Sequence, residues 1–478
     1  MAENSRSISA KRIVIWLAVA AGLAGAGYGA WHTGKVIAVA SSFYAKTLCS
    51  SLFVSGMEAE AAVSEDVLAD MRVGLRHWDA TVDRERGIVE ASLFGLGGQK
   101  ALYRPGLGCT LVLDTTVETL QMQASGYEVP VPSRQPNALW PEGERVDAPA
   151  TPVEYDAGKL KAAIDDAFSE PKPERALRRT HAVVVVHKGR IVAERYAQGI
   201  TPDMARPGWS MGKSIMGALV GILVKDDKLQ PDTNDLFPEW RGEGDQRKSI
   251  TVENLLRMTS GLDFDAPHAR MLSDVRTMLF LKGDSAAYAK SESLVDPVGS
   301  TFFYASGSTT LLASAMRDVV PGGQAAYFSF PRKALFEPLG MESAVLEPDA
   351  AGTFLAPAFA YASARDWARL GLFYLADGVW QGKRLLPRGW VGKQRTATQQ
   401  SGGEYGAHLW VRIPAFLRPS FANDYRLPDD GFYMLGHDGQ MVAMFPSQDL
   451  VVVRLGLSRR RNAWDHEEFL YQVLEAFR

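Results

Sequence analysis

From Ile215 to Val224 the chain carries ten consecutive residues with no polar side chain, a run that as a helix has to be buried on every side. Directly before it stands Trp209-Ser210-Met211-Gly212-Lys213-Ser214. Helical periodicity predicts a central helix with an apolar stripe of Ile215, Ala218, Leu219 and Ile222, and with Ser210, Lys213, Gly217 and Gly221 on the opposite, small side. The rest of the chain has to be built around that helix. A lysine three residues after a serine on a helix stands within reach of it, and a serine hydroxyl needs such a proton acceptor to become a nucleophile. Burial disfavours the Lys213 ammonium and lowers its pKa, and the positive end of the helix acts in the same direction.

Other readings compete for this stretch. Ser-x-x-Lys is short enough that about one or two matches arise by chance in a chain of this composition and length. A phosphate-binding loop, G-x-x-x-x-G-K-[ST], does not fit, because Gly208 lies one residue too close to Gly212 and Pro207 stands where glycine is needed. A formal net charge of −3 over 478 residues gives no footing for a nucleic acid partner. The basic run Arg459 to Arg461 reads as a solvated face.

Residues Ile13 to Trp31 carry no charge and follow Arg6, Lys11 and Arg12. The length suits a bilayer, and the positive flank predicts a cytoplasmic tail over 1–12 and a single-pass signal-anchor helix over 13–31. The remaining chain then lies on the periplasmic, extracytoplasmic side of a bacterial inner membrane. A cleaved signal peptide ending at Ala38-Val39-Ala40 is the alternative, although Lys35 intervenes and the apolar run exceeds a usual signal core. Export permits a disulfide between Cys49 and Cys109, closing a loop of about sixty residues worth roughly 4 kcal/mol; two unrelated buried thiols remain the other possibility.

Within 32–150 the pattern predicts a small membrane-proximal module, with a helix over Val63 to Val73 and strands over Gly87 to Phe94, Ala101 to Tyr103 and Cys109 to Leu113. Six prolines between Val129 and Pro152 mark a linker or an extended wrap, so a second domain is expected over 151–478. There an amphipathic helix (Lys159 to Phe168), a hairpin (His181 to His187 and Arg190 to Tyr196) and a capped helix (Thr251 to Met258) precede a mostly helical stretch. Strands return at His408 to Ile413, Tyr433 to Leu435, Gln440 to Phe445 and Leu450 to Leu457, before a helix over Glu467 to Phe477. Strands at both ends with helices between predict one sheet carrying a helical insertion, an α/β chain of the α+β type.

Two stretches are candidates to reach Ser210. One is Tyr304-Ala305-Ser306-Gly307, where a phenol beside an ammonium would have its pKa depressed toward neutrality, unless Tyr304 is simply a turn residue packed on the core. The other is Gly436-His437-Asp438-Gly439-Gln440, a tight turn whose backbone N–H groups can face an oxyanion; His437 reads equally well as a satisfied loop histidine. Eight histidines without H-E-x-x-H or a comparable pair give no support for a metal, and no cofactor is expected.

Taken together, these residues resemble the superfamily of serine β-lactamases and penicillin-binding proteins, in the class C-like branch with family VIII-type esterases and 6-aminohexanoate-dimer hydrolases. Ser210-x-x-Lys213 matches the nucleophile motif, Tyr304-Ala305-Ser306 the Tyr-x-Asn or Tyr-x-Ser motif, and His437-Asp438-Gly439 stands where Lys-Thr-Gly would be. Leu255-Leu256 through Thr259-Ser260-Gly261-Leu262 and Phe336 to Met341 add support, and the likeness covers roughly residues 170–478. It implies a β-lactamase-like antiparallel sheet flanked by helices, with the serine at the junction with a mostly helical region. It also implies a Ser210 acyl-enzyme, with Lys213 and Tyr304 as proton-transfer groups, either of them the base, and with the Ser210 and Gln440 N–H groups holding the oxyanion.

The substrate, an ester or amide, would contact Ser306, His437, Asp438 and Gly439. Lys-Thr-Gly helps hold a substrate carboxylate, which Asp438 would repel, so a neutral or amine-bearing ester or amide is expected over a β-lactam. A non-catalytic sensor that binds cell-wall peptides and a true β-lactamase are the alternatives. The intact set of Ser210, Lys213 and Tyr304 favours an enzyme.

Overall fold

Helix α1 does not end where the uncharged run ends: it continues unbroken over Ala10–Phe53. The computed structural model describes residues 10–68, 78–131, 135–147, 154–171, 177–264, 272–418, 425–460 and 463–478. Along α1, residues 27–35 are exposed, and burial begins past Val36 and is nearly complete beyond Val39. The stretch Gly27–Phe53 is apolar and long enough to cross a membrane by length and composition, yet most of its apolar window is packed inside the protein. A span placed at 13–31 is therefore the first half of a longer helix whose second half belongs to the fold. Ala38-Val39-Ala40 lies within that packed half, with Val39 only 2% exposed.

Against α1 lies an antiparallel meander of β1 (Trp78–Asp83), β2 (Ile88–Leu93), β3 (Leu96–Arg104) and β4 (Gly108–Leu111), in that order. Strand β1 was not expected, because its Trp-Asp-Ala-Thr-Val-Asp sequence is mostly exposed at the sheet edge and so lacks an apolar alternation. Cys49 of α1 is joined to Cys109 of β4 by a disulfide. The helix expected from Val63 to Val73 begins early, at Ala59, and is described as helix to Val67; residues 69–77 lie outside the described residues.

The proline-rich segment wraps along the larger region. Its pieces Gln135–Leu139 and Gly143–Arg145 pair in parallel, and Trp140 between them is 2% exposed. Arg190 donates to the Trp140 carbonyl, and Arg369 to those of Pro141 and Gly143. Other ties cross the same boundary: Arg206 pairs with Asp66, Lys46 with Glu347, and the Cys109 N–H with Glu347 Oε1 at 2.6 Å. One apolar cluster runs from Val39 to Leu455, so packing is continuous across residue 150.

Beyond the wrap, α2 (Ala157–Ala167) leads into β5 (Thr180–His187) and β6 (Arg190–Tyr196), followed by the central helix α3 (Gly212–Lys225). Helices α4 (Ser306–Val319) and α5 (Ala364–Leu375) precede β7 (Phe432–Leu435), β8 (Met441–Phe445), β9 (Leu450–Gly456) and α6 (His466–Leu474). The sheet order is β7-β8-β9-β5-β6, antiparallel throughout, with Val453 opposite Val184. Successive side chains of a strand point to opposite faces. Val184, Val186, Val451 and Val453 therefore join the core shared with α3 and α5, while Val183, Val185 and Val452 join that of α2 and α6. Both faces are covered, which is why β5 and β9 read as unbroken apolar runs.

The expected strand from His408 to Ile413 does not form. His408 has φ 57°, its N–H bonds to the Leu256 carbonyl, and the segment pairs with the sheet only through the single bridge Trp410 to Tyr433.

Candidate active site

Ser210 sits in a 3-10 turn, Trp209–Met211, immediately before α3 rather than within it. Trp209 has φ 50°, the left-handed region that a bulky residue occupies only when its surroundings impose it. Two glycines impose it here. Gly208 donates to the Ala360 carbonyl at 2.7 Å, and a Cβ on it would overlap the Trp367 indole. A Cβ on Gly212 would overlap the Ala356 carbonyl. The turn is thus clamped against the segment 356–362, and Ser210 Oγ lies 3.5 Å from the Pro357 carbonyl.

Lys213 Nζ donates to Ser210 Oγ at 3.0 Å. The lysine is 1% exposed, and burial pulls its pKa down from 10.5 to about 7. Near neutral pH a large fraction of it is therefore an amine able to accept a proton. The small face expected on α3 is filled closely: Trp390 donates to the Gly217 carbonyl at 3.2 Å, and a Cβ on Gly221 would overlap its indole. His408 lies on the same side, its Nδ1 on the Leu256 carbonyl at 2.8 Å and its Nε2 3.0 Å from Thr309 Oγ1. Burial pushes its pKa to about 3, so it is neutral and adds no charge beside Lys213.

Tyr304 precedes α4, and Lys213 Nζ stands 4.6 Å from its ring centroid. The expectation of a depressed phenol pKa is overturned: burial raises it to about 12, against weaker opposing hydrogen bonds from Ser210 and Trp410. Tyr405 and Trp410 flank the ring at 5.5 and 5.2 Å, and a buried lysine near pKa 7 supplies too little cation to hold a phenolate. The group next to Ser210 that is ready to accept a proton is the lysine. Ser306 opens α4, with its carbonyl taken by Thr310 Oγ1 at 3.2 Å.

The turn Gly436 to Gln440 lies against the serine loop, because a Cβ on Gly436 would overlap the Gly208 carbonyl, and the rings of His437 and Trp209 meet edge to face at 5.5 Å. His437 is 54% exposed at the side chain, whereas Asp438 is 1% exposed. Asp438 has φ 61°, with Oδ1 3.2 Å from His437 Nε2 and Oδ2 3.9 Å from Arg459 Nε. Its carboxylate thus faces into the protein, which withdraws the footing for an amine-bearing substrate held by Asp438. Arg454 holds the turn from behind, donating to the Asp438 and Gly439 carbonyls at 3.1 and 3.0 Å. Gln440 exchanges side-chain hydrogen bonds with the Gly456 backbone, and its own N–H makes only a long, 3.4 Å bond to the His437 carbonyl.

Sequence reasoning missed Tyr405, Trp410, His408 and Arg454. Only Arg454 left a readable trace, a single charge inside the otherwise apolar β9. Among the described residues, no group of three His, Cys, Asp or Glu side chains is placed to hold a metal.

Residues 166–471 match the beta-lactamase family. Over 333 residues the chain is 26% identical to 6-aminohexanoate-dimer hydrolase of Paenarthrobacter ureafaciens, covering 64% of this chain and 79% of that one. Among solved structures, a Bacillus anthracis protein provisionally assigned as a 6-aminohexanoate-dimer hydrolase aligns with TM-score 0.52 at 21% identity, over 71% of this chain and 87% of its own. A penicillin-binding protein homologue from Caulobacter crescentus aligns with TM-score 0.50 at 16% identity, over 66% and 96%. At those identities the structural likeness is one of fold.

Proposed function

The chain belongs to the beta-lactamase family, as a serine hydrolase of the esterase and amidase kind, and from that premise we propose that it cleaves a small neutral ester or amide through an acyl-enzyme on Ser210. The observation that carries the proposal is the 3.0 Å contact between Ser210 Oγ and a buried lysine whose pKa is lowered to about 7.

In this reading the neutral Lys213 amine takes the hydroxyl proton as Oγ attacks the carbonyl carbon. Tyr304, protonated at neutral pH, gives its proton to the leaving group and is reprotonated by the Lys213 ammonium, and the Ser210 and Gln440 N–H groups receive the oxyanion. Water then hydrolyses the acyl-enzyme with the same groups in reverse. The name of the Paenarthrobacter relative favours an amide of a short ω-amino acid as one substrate to try. The turn at 436–440 holds no lysine to receive the carboxylate of a β-lactam. The first half of α1 is taken as a membrane anchor with its amino terminus in the cytoplasm, which puts the catalytic region on the extracytoplasmic side.

The test is turnover of p-nitrophenyl butyrate, linear 6-aminohexanoate dimer and nitrocefin by the full chain and by Ser210→Ala. Hydrolysis of the ester or the dimer that disappears in Ser210→Ala is the expected result. Turnover retained in Ser210→Ala would overturn the serine assignment, and nitrocefin as the fastest of the three would overturn the substrate class.

A further inference from the structure

We propose that Asp66, in the module ahead of the catalytic region, is a positioning residue for the nucleophile, fixing through Arg206 the strand from which the Ser210 turn projects; this rests on the reading of Ser210 as the nucleophile.

Ser210 and Lys213 are placed by different parts of the fold. Lys213 belongs to α3 and is fixed by the core around that helix, whereas Ser210 stands in the 3-10 turn before it. The turn projects from a small antiparallel ribbon, in which Arg206–Pro207 pairs with Ala360–Ala362 and that segment with Val345–Leu346. Between Arg206 and Ser210 there is little slack. The Pro207 ring fixes its own φ, the Ala360 carbonyl holds the Gly208 N–H at 2.7 Å, and Trp209 is wedged at φ 50°. A displacement of Arg206 is therefore passed on to Ser210, where it changes the 3.0 Å contact with Lys213 Nζ.

The module grips this ribbon at both edges. At one edge the buried Arg206 guanidinium forms a two-pronged pair with Asp66, Nη2 to Oδ1 at 2.6 Å and Nη1 to Oδ2 at 3.1 Å. Asp66 is buried too and is aimed by Ser51 of α1, whose hydroxyl donates to Oδ2 at 2.6 Å. At the other edge Glu347, directly after Val345–Leu346, pairs with Lys46 of α1 and accepts from Ser50 Oγ at 2.9 Å. The Lys46 ammonium also lies 3.9 Å from the centroid of the Phe359 ring, in the segment against which the serine turn rests. With that wall held, the Asp66 pair decides where the strand entering the turn sits. A buried guanidinium that loses its carboxylate costs more than the few ladder bonds of a two-residue strand contribute, so the strand yields first. Asp66 lies outside residues 166–471, which match the beta-lactamase family, so the support for the nucleophile comes from beyond the matched region.

The time course of fluorophosphonate labelling, read by intact mass on the detergent-solubilised full chain, separates placement from folding: misplacement lowers the rate constant, whereas a loss of folded molecules lowers the end point. Asp66→Asn and Arg206→Lys each keep a hydrogen-bonding group in place but break the two-pronged pair. Leu470→Ala is the control, because it empties core space on the α2 and α6 side of the sheet, away from the ribbon. Both pair variants are expected to reach one adduct per chain about 10- to 100-fold more slowly than the wild type, a misplacement of about 1 Å being worth about 10²-fold. Leu470→Ala is expected to label at the wild-type rate constant. If Asp66→Asn does not fold, Arg206→Lys decides. A wild-type rate constant in the pair variants, or equal slowing in Leu470→Ala, overturns the role of Asp66 and leaves the nucleophile standing. A wild-type chain that takes no adduct on Ser210 overturns the reading of the nucleophile itself.

Discussion

Lys213→Met should make the protein more stable as it abolishes activity. The folded state holds Lys213 at about pKa 7, against an ordinary 10.5. Between those values the unfolded chain binds a proton that the folded one does not, so wild-type stability rises with pH from about 7 to about 10.5. The penalty is complete below pH 7 and gone above 10.5. At about 1.4 kcal/mol per pKa unit, it is of the order of 4 kcal/mol at pH 7 and 2 kcal/mol at pH 9. Methionine fills much of the same space without a charge and removes that penalty. The assay is denaturant unfolding of the detergent-solubilised full chain and its variant at several pH values from 6 to 9. The variant should be the more stable, by a margin that narrows as pH rises. A margin independent of pH, or a variant less stable at every pH, would refute the placement of a pKa-lowered lysine at this site.

Tyr304→Phe should slow acylation by about 10²–10⁴ while leaving the acid limb of the pH–rate profile near 7, since that limb belongs to Lys213; stopped-flow acylation across pH 5 to 9 reads both. Reducing the Cys49–Cys109 disulfide should lower the unfolding free energy by about 4 kcal/mol, seen as a drop in the denaturation midpoint with reductant. Glu347→Leu should cost roughly 3–5 kcal/mol, because it leaves Lys46 buried and charged. The double variant Lys46→Met/Glu347→Leu should recover most of that loss in the same unfolding assay.

The sheet was legible because its centre is apolar on both faces: the Val183 to Val186 run allows few other structures. Ser210 and Lys213 were legible because the spacing that aligns them is a property of one helix, and it survives the 3-10 turn that the structure places at Ser210. The direction of the Tyr304 pKa was not legible, since it is decided by burial, and two of the rings packed on Tyr304, those of Tyr405 and Trp410, come from a segment without regular structure a hundred residues further on. Nor was the inward turn of Asp438, which depends on Arg454 and Arg459 from strand β9 and the loop after it. The length of α1 escaped for a simpler reason. Hydropathy falls at His32 and Lys35, where the helix is exposed, and burial among the described residues begins only beyond them.

The central claim, a serine activated by a buried lysine, is tested most directly by intact mass and peptide mapping of the full chain after treatment with a fluorophosphonate at pH 8. The account predicts a single adduct, mapped to Ser210, absent in Ser210→Ala and formed far more slowly in Lys213→Met. An adduct on another residue, or one formed at an equal rate in Lys213→Met, would contradict it.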